Sequence, residues 1–236
     1  MTNFRSRMAS ALQSFYAFQR TKLYDLLAAL PVIVWYLWRL WQRLPQLEDS
    51  FTDLGYAPNP LHVLDATAEI GIFAFVLVVI AAFVLRVPPR GKAAGLLPRF
   101  AAFAGTFATV LFVQLPPADL SLPVQTVATA LVVGGSLLGI YVIAVLGRSF
   151  SIMAEARVLK TRGPYALVRH PLYFTEELVV LGAAIQYRQP WSAALFVVHL
   201  GLQIWRMHNE ERVLAAAYPD YAAYAARTAR LIPGVY

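Results

Sequence analysis

The chain alternates between long apolar runs and short segments in which cations are concentrated. Residues 124–146 contain no charged side chain, and residues 66–85 contain only Glu69. Because a transmembrane helix needs about 20 predominantly apolar residues, each run predicts one. Four further runs are shorter or interrupted by proline or arginine: 24–41, 96–115, 172–187 and 191–207. The pattern predicts an all-α, polytopic bundle of about five or six membrane helices.

Composition supports this interpretation. Apolar residues make up 59% of the 236 residues and charged residues 14%, whereas a soluble domain has about 25% charged residues. We therefore expect an integral membrane protein that forms one continuous domain.

The cations predict how the helices are oriented. Segments 5–22, 86–99 and 148–170 carry many arginines and lysines and together contain one acid, Glu155, whereas residues 43–65 are acidic. Cytoplasmic loops are enriched in cations, so both termini are expected in the cytoplasm. Either six crossings or four crossings and a re-entrant hairpin would satisfy this alternation. The net charge of +7 follows from this topology and from contact with anionic lipid, and the dispersed cations argue against nucleic-acid binding.

Ionisable residues are costly at membrane depth and often mark function. Two polar clusters flank the predicted hairpin 171–207, one around His170 and Tyr173 and the other around Arg206 and Glu210. Since the ends of a hairpin return to the same membrane face, the clusters are expected to meet in one site. The alternative for Arg206 and Glu210 is an ion pair on a helix surface, at i,i+4 spacing.

The segments "LVRHPLYFTEE" and "RMHNEERVLAAAYPDYAAY" resemble the isoprenylcysteine carboxyl methyltransferase and phospholipid methyltransferase superfamily of integral membrane proteins. The resemblance covers about residues 134–236. It rests on motifs that occur here in the family's order: Leu159, Gly163-Pro164-Tyr165, Arg169-His170-Pro171-x-Tyr173, Arg206 to Leu214 with Glu210-Glu211, Tyr221 with Tyr224, and Ile232-Pro233.

The resemblance implies that S-adenosylmethionine binds in a cytoplasm-facing pocket formed by the C-terminal hairpin and an amphipathic helix. It implies a cofactor site formed by Leu159, Gly163, Tyr165, Arg169, His170, Pro171, Tyr173 and Glu210. Arg206 would orient the methyl acceptor, and Glu210 and Glu211 are counted with it as candidate catalytic residues. Residues 123–236 would be the methyltransferase core, and residues 1–122 three spans that serve as a scaffold or as the substrate side.

The acceptor is expected to be small or lipid-like. Residues 148–170, which carry the first motifs, are referred to as the motif loop. The eukaryotic carboxyl methyltransferases of the family carry an arginine on the helix before this loop, whereas the comparable stretch here, "GGSLLGIYVIAVLG", has no cation. This difference argues against a prenylcysteine carboxylate as the methyl acceptor. Two other functions remain open: an NADPH-dependent membrane reductase of the sterol-reductase type and a non-catalytic membrane protein. With no cysteine, and with His62, His199 and His208 lacking ligand spacing, no metal site is expected.

Overall fold

The computed structural model describes residues 18, 21–57 and 59–236, without the side chains of residues 61 and 113. Three of the N-terminal cations, Arg5, Arg7 and Arg20, lie outside the described residues. The helices and strands within them are α1 (Lys22–Tyr56), α2 (Pro60–Leu85), β1 (Gly91–Lys92), α3 (Leu97–Phe107), α4 (Leu122–Leu146), β2 (Glu155–Ala156), α5 (Pro171–Gln186), α6 (Trp191–Ala217) and α7 (Tyr221–Arg227). The fold is therefore nearly all α-helical, as predicted.

Three helices in the described part of the chain are long and apolar enough to cross a bilayer: Lys22–Tyr56, His62–Leu85 and Leu122–Ser149. Many of their large apolar side chains are exposed, among them Leu37, Trp38 and Leu77. An apolar surface of this kind belongs in lipid, where helices satisfy their own backbone hydrogen bonds. The protein is an integral membrane protein, and the number of crossings beyond these three helices stays a prediction.

Two segments differ from the sequence-based expectation. Helix α1 does not end near residue 41 but continues through Pro45 to Tyr56, into the acidic segment 43–65. Residues 96–115, expected as a full span, form only the 11-residue helix α3 followed by a 3-10 helix, Ala108–Gln114. Apolar composition therefore located both segments but gave the wrong helix lengths.

Close helix packing brings the C-terminal hairpin against the rest of the bundle. Helix α5 lies against α4, and α6 returns antiparallel to α5 and packs on α3. A Cβ atom at Gly182 of α5 would lie 2.6 Å from the backbone oxygen of Ala128 in α4. Small residues allow such approaches between membrane helices, so the α4–α5 contact depends on glycine at this position.

A buried ion cluster joins the N-terminal helices to the loop that follows α4. Asp25 of α1 accepts hydrogen bonds from Arg86 Nε at 2.8 Å and from Arg157 Nη2 at 2.7 Å. All three residues are buried, and Arg157 also pairs with Glu155 at 2.6 Å. Strands β1 and β2 pair beside the cluster, with Lys92 opposite Glu155. These contacts join the N-terminal helices to the loop after α4, at the end of the bundle where α5 begins and α6 ends.

Candidate active site

The structure brings the two polar clusters of the hairpin together. The Tyr173 hydroxyl donates a hydrogen bond to Glu210 Oε2 at 2.9 Å, and the Arg206 guanidinium carbon lies 4.9 Å from the centre of the Tyr173 ring. His170 Nδ1 is 4.0 Å from Glu210 Oε2. Residues separated by more than thirty positions in sequence therefore share one small volume at the open end of the α5–α6 hairpin.

A crevice opens beside these side chains. Its inner part lies between the 149–152 segment and α5, and its outer part lies between residues 157–160 and the C-terminal tyrosines. Leu146, Ser149, Glu155, Tyr165, Arg169 and Glu210 line both parts, so the two form one space. Seven of the residues proposed from sequence line it: Leu159, Tyr165, Arg169, His170, Tyr173, Arg206 and Glu210.

The other three proposed residues do not line the crevice. Gly163 has φ +63° at the start of a short 3-10 helix, a backbone conformation that glycine adopts without strain. Pro171 is the first residue of α5, where its missing N–H costs no helical hydrogen bond. Glu211 lies next to Glu210 on α6 but is not among the residues that line the crevice.

Glu211 holds the motif loop in place through three cationic or donor groups. Its carboxylate accepts from Arg169 Nε at 2.8 Å, from Arg230 Nη2 at 2.9 Å and from His170 Nε2 at 3.1 Å. An ionised carboxylate is only an acceptor, so Nε2 of His170 carries the proton. In the neutral ring Nδ1 is then the free acceptor on the Glu210 side.

Stability should depend on the ionisation of Glu211. Burial raises its pKa, but hydrogen bonds from His170, Arg230 and Arg169 outweigh burial and hold the pKa well below its ordinary 4.5. This stabilisation is complete above the unfolded value and is lost as the pH falls through the lowered folded value. In Glu211→Gln we expect a lower melting temperature near neutral pH and a smaller further loss below about pH 4.5. The melting temperatures of wild type and Glu211→Gln, measured from pH 7 to below pH 4.5, check this expectation. An equal fall in both proteins would contradict the role assigned to the Glu211 carboxylate.

The C-terminal segment clamps the loop that carries His170. The backbone N–H groups of Arg169 and His170 donate to the carbonyls of Ala229 and Arg230 at 2.8 and 3.0 Å. The Tyr224 hydroxyl donates to the Tyr165 carbonyl at 2.7 Å. The walls of the crevice are therefore joined by hydrogen bonds between two distant parts of the chain.

Arg206 is almost completely buried and has polar neighbours on several sides. It donates to Gln203 Oε1 at 2.5 Å and to the Ile152 carbonyl at 3.3 Å, and its Nη1 lies 3.7 Å from Glu176 Oε2. A Cβ atom at Gly105 of α3 would lie 2.6 Å from Arg206 Cδ, so glycine at 105 makes room for this side chain. The alternative of a surface ion pair between Arg206 and Glu210 is not what the structure shows, since Glu210 bonds Tyr173 instead.

Several residues of the crevice were not proposed from sequence. Glu155 and Ser149 line it, and Tyr221, named above only as part of a motif, is buried in its wall. The Ser149 Oγ and Tyr221 hydroxyl are buried without a hydrogen-bond partner among the described residues. Glu155 is the single acid of a cation-rich loop, and that contrast was the signal in the sequence that could have identified it.

The polar groups around the crevice suit a ligand with both positive and negative ends. Carboxylates of Glu155, Glu176 and Glu210 and guanidinium groups of Arg169 and Arg206 line the same space. Buried polar atoms normally have partners, so the unpaired hydroxyls of Ser149 and Tyr221 indicate room for a polar ligand. Within the described ranges, no group of three or more His, Asp or Glu side chains is placed to hold a metal ion.

Residues 124–221, from α4 to the first residue of α7, match the family model described as phospholipid methyltransferase. This part of the chain is similar to the phospholipid methyltransferase family. The match includes the loop and hairpin that form the crevice, and it confirms the resemblance to the integral membrane methyltransferases. It does not reach the first three helices, so their relation to a methyltransferase fold rests on the contacts described above.

One curated relative is the cobalt-zinc-cadmium resistance protein CzcN of Cupriavidus metallidurans. The two sequences are 37% identical over 76 residues, which is 32% of this chain and 35% of the relative. The chain thus spans about a third of the length of the curated relative it matches.

Proposed function

We propose that this protein is an S-adenosylmethionine-dependent methyltransferase that methylates a small or lipid-like acceptor at the cytoplasmic leaflet. The observation that carries the proposal is the convergence of His170, Tyr173, Arg206 and Glu210 on one crevice within the segment matched by the methyltransferase family. The match to the family model supports methyl transfer as the reaction class, and the apolar helices support a site at the membrane.

The crevice fits the cofactor in charge and in hydrogen-bonding groups. S-adenosylmethionine carries an ammonium, a sulfonium and a carboxylate, and it supplies an electrophilic methyl group when bound. Glu210 would hold a cationic group, because one of its oxygens bonds Tyr173 and its side chain remains 30% exposed. His170 and Arg169 would face the carboxylate, and Tyr165 and Leu159 would contact the rest of the cofactor. Glu211 would act as a positioning residue that fixes the His170 ring.

The acceptor would approach from the membrane side of Arg206. Glu176 lines the crevice and also a deeper apolar cavity between the helices, whose walls include Trp35, Tyr36 and Phe75. An apolar tail in that cavity would place a polar head between Glu176 and Arg206. Methyl transfer depends mainly on in-line positioning of the acceptor, which a buried guanidinium with fixed partners can provide.

Substitution of Arg206 tests this division of roles. In Arg206→Lys we expect S-adenosylhomocysteine to bind within about threefold of wild type, while methyl transfer falls by about 10²-fold because the fixed guanidinium is lost. Transfer of labelled methyl groups from S-adenosylmethionine into a membrane lipid extract measures the second quantity, and calorimetry measures the first. Turnover at the wild-type rate would remove Arg206 from the mechanism.

A further inference from the structure

A second cavity lies outside the crevice, at the same end of the bundle. It is enclosed by the start of α1, the end of α2, the start of α3 and residues 152–155, and it is referred to as the α1–α3 cavity. Ile152 and Glu155 line both this cavity and the crevice, so a short stretch of chain separates the two. None of the residues that the family resemblance proposes for the methyltransferase site lines this cavity.

One end of the α1–α3 cavity is cationic. Lys92 and Arg99 line it, and both side chains are exposed. The Lys92 ammonium lies 3.8 Å from Glu155 Oε1, a long contact, since Arg157 donates to the other oxygen of Glu155 at 2.6 Å. Arg99 has no ion pair within the part of the chain that the structure describes.

The nearby acids do not balance these cations. Asp25 is fully engaged by Arg86 and Arg157, which donate to both of its oxygens. Counting the residues in and beside the cationic end gives five cations and two acids, hence a net charge of +3. They are Lys22, Arg86, Lys92, Arg99 and Arg157 against Asp25 and Glu155. An excess of this size at a membrane interface favours an anion between Lys92 and Arg99.

The other end of the cavity is apolar and lies deeper along the helices. Its walls there are Ala28 and Val32 of α1, Phe103 and Phe107 of α3, and Met153. Phe107 lies eight positions after Arg99 in α3, a rise of about 12 Å along the helix. Phe100 and Phe103 are more than half exposed, so the opening between α1 and α3 faces the lipid. The cavity is thus complementary to a lipid: its cationic end suits an anionic head, and its apolar end suits an acyl chain.

We propose that the α1–α3 cavity binds a phosphate-headed lipid, with the phosphate between Lys92 and Arg99 and an acyl chain between α1 and α3. This site goes beyond the proposed function, because lipid binding there requires no cofactor and no methyl transfer. The bound lipid would contact the first three helices and would be separated from the crevice by residues 152–155.

The test is calorimetric titration of the full chain, purified in an uncharged detergent, with dihexanoyl phosphatidylglycerol. Dihexanoylglycerol and inorganic phosphate serve as comparison ligands, because each has only one half of the recognised chemistry. We expect saturable binding of the phospholipid alone. Binding should weaken at least tenfold in the double variant Lys92→Gln/Arg99→Gln, and also in Ala28→Trp, which fills the apolar end at an exposed position.

The matched control is Arg188→Gln/Arg227→Gln, which removes two exposed cations that do not line the cavity and should bind like wild type. All variants should bind S-adenosylhomocysteine like wild type, which shows that they are folded and separates this test from that of the methyltransferase site. Equal binding of dihexanoylglycerol, or of inorganic phosphate alone, would overturn the proposal. So would unchanged phospholipid binding by the Lys92/Arg99 double variant.

Discussion

Asp25→Asn is expected to lower the free energy of unfolding by about 3–5 kcal/mol, the cost of removing one partner from a buried charge cluster. Asp25 is 3% exposed and accepts hydrogen bonds from two guanidinium groups, each through two nitrogens. Asparagine keeps the side-chain volume but removes the charge, so Arg86 and Arg157 would repel each other without a counter-ion between them. Part of the loss would also appear as loosening of the loop at residues 149–157, which Arg157 holds against α1.

Reversible unfolding of the detergent-solubilised protein, followed by circular dichroism, measures this loss. Glu69→Gln is the matched control, because Glu69 pairs with Arg43 at 2.7 Å but both side chains are partly exposed, at 17% and 30%. Because solvent reaches this pair, its loss should be smaller than that of Asp25→Asn, on the order of 1 kcal/mol. Equal losses of unfolding free energy in the two variants would show that burial does not increase the contribution of the Asp25 cluster to stability.

Glu210→Gln is expected to weaken S-adenosylhomocysteine binding by about 10- to 100-fold. The amide keeps the shape of the side chain and can still accept from the Tyr173 hydroxyl, so the variant should fold normally. What it loses is a charge-assisted bond to a cationic group of the ligand, worth about 1.5–3 kcal/mol. The more drastic variants Glu210→Ala and His170→Ala are expected to abolish binding, while the protein still inserts and purifies.

Calorimetry with the purified variants checks this expectation. Glu48→Gln serves as its control, because Glu48 is an exposed acid on α1 that does not line the crevice, and its affinity should equal that of wild type. Wild-type affinity in Glu210→Gln would exclude Glu210 from the cofactor site, whatever the outcome for His170.

The features that could be predicted from sequence are those set by neighbouring residues, such as helix starts and the breaks between apolar runs. Pro171 starts α5, and "RQP" separates two apolar runs, so the hairpin and the meeting of its two ends follow from proline geometry and helix length. The contacts inside the site were not predictable in the same way. Arg206 and Glu210 have the spacing of an ion pair, but burial lets Arg206 reach Gln203 and Glu176, and Tyr173 takes Glu210.

Long-range partners explain the remaining differences. Tyr221 is buried because the C-terminal segment folds back over the motif loop, and no periodicity within residues 218–224 indicates that return. Asp25 and Arg157 are 132 positions apart, so only the fold reveals their contact. Helix α1 continues beyond its apolar run because a helix outside the bilayer can be hydrated, and hydropathy marks where lipid contact ends rather than where the helix ends.

The most direct test of the central claim is calorimetric titration of the wild-type protein with S-adenosylhomocysteine, with NADPH as the comparison ligand. Saturable binding of S-adenosylhomocysteine alone is the result that the crevice predicts. Binding of NADPH alone would contradict the methyltransferase site and favour the reductase, and binding of neither ligand would leave the crevice without the function proposed for it.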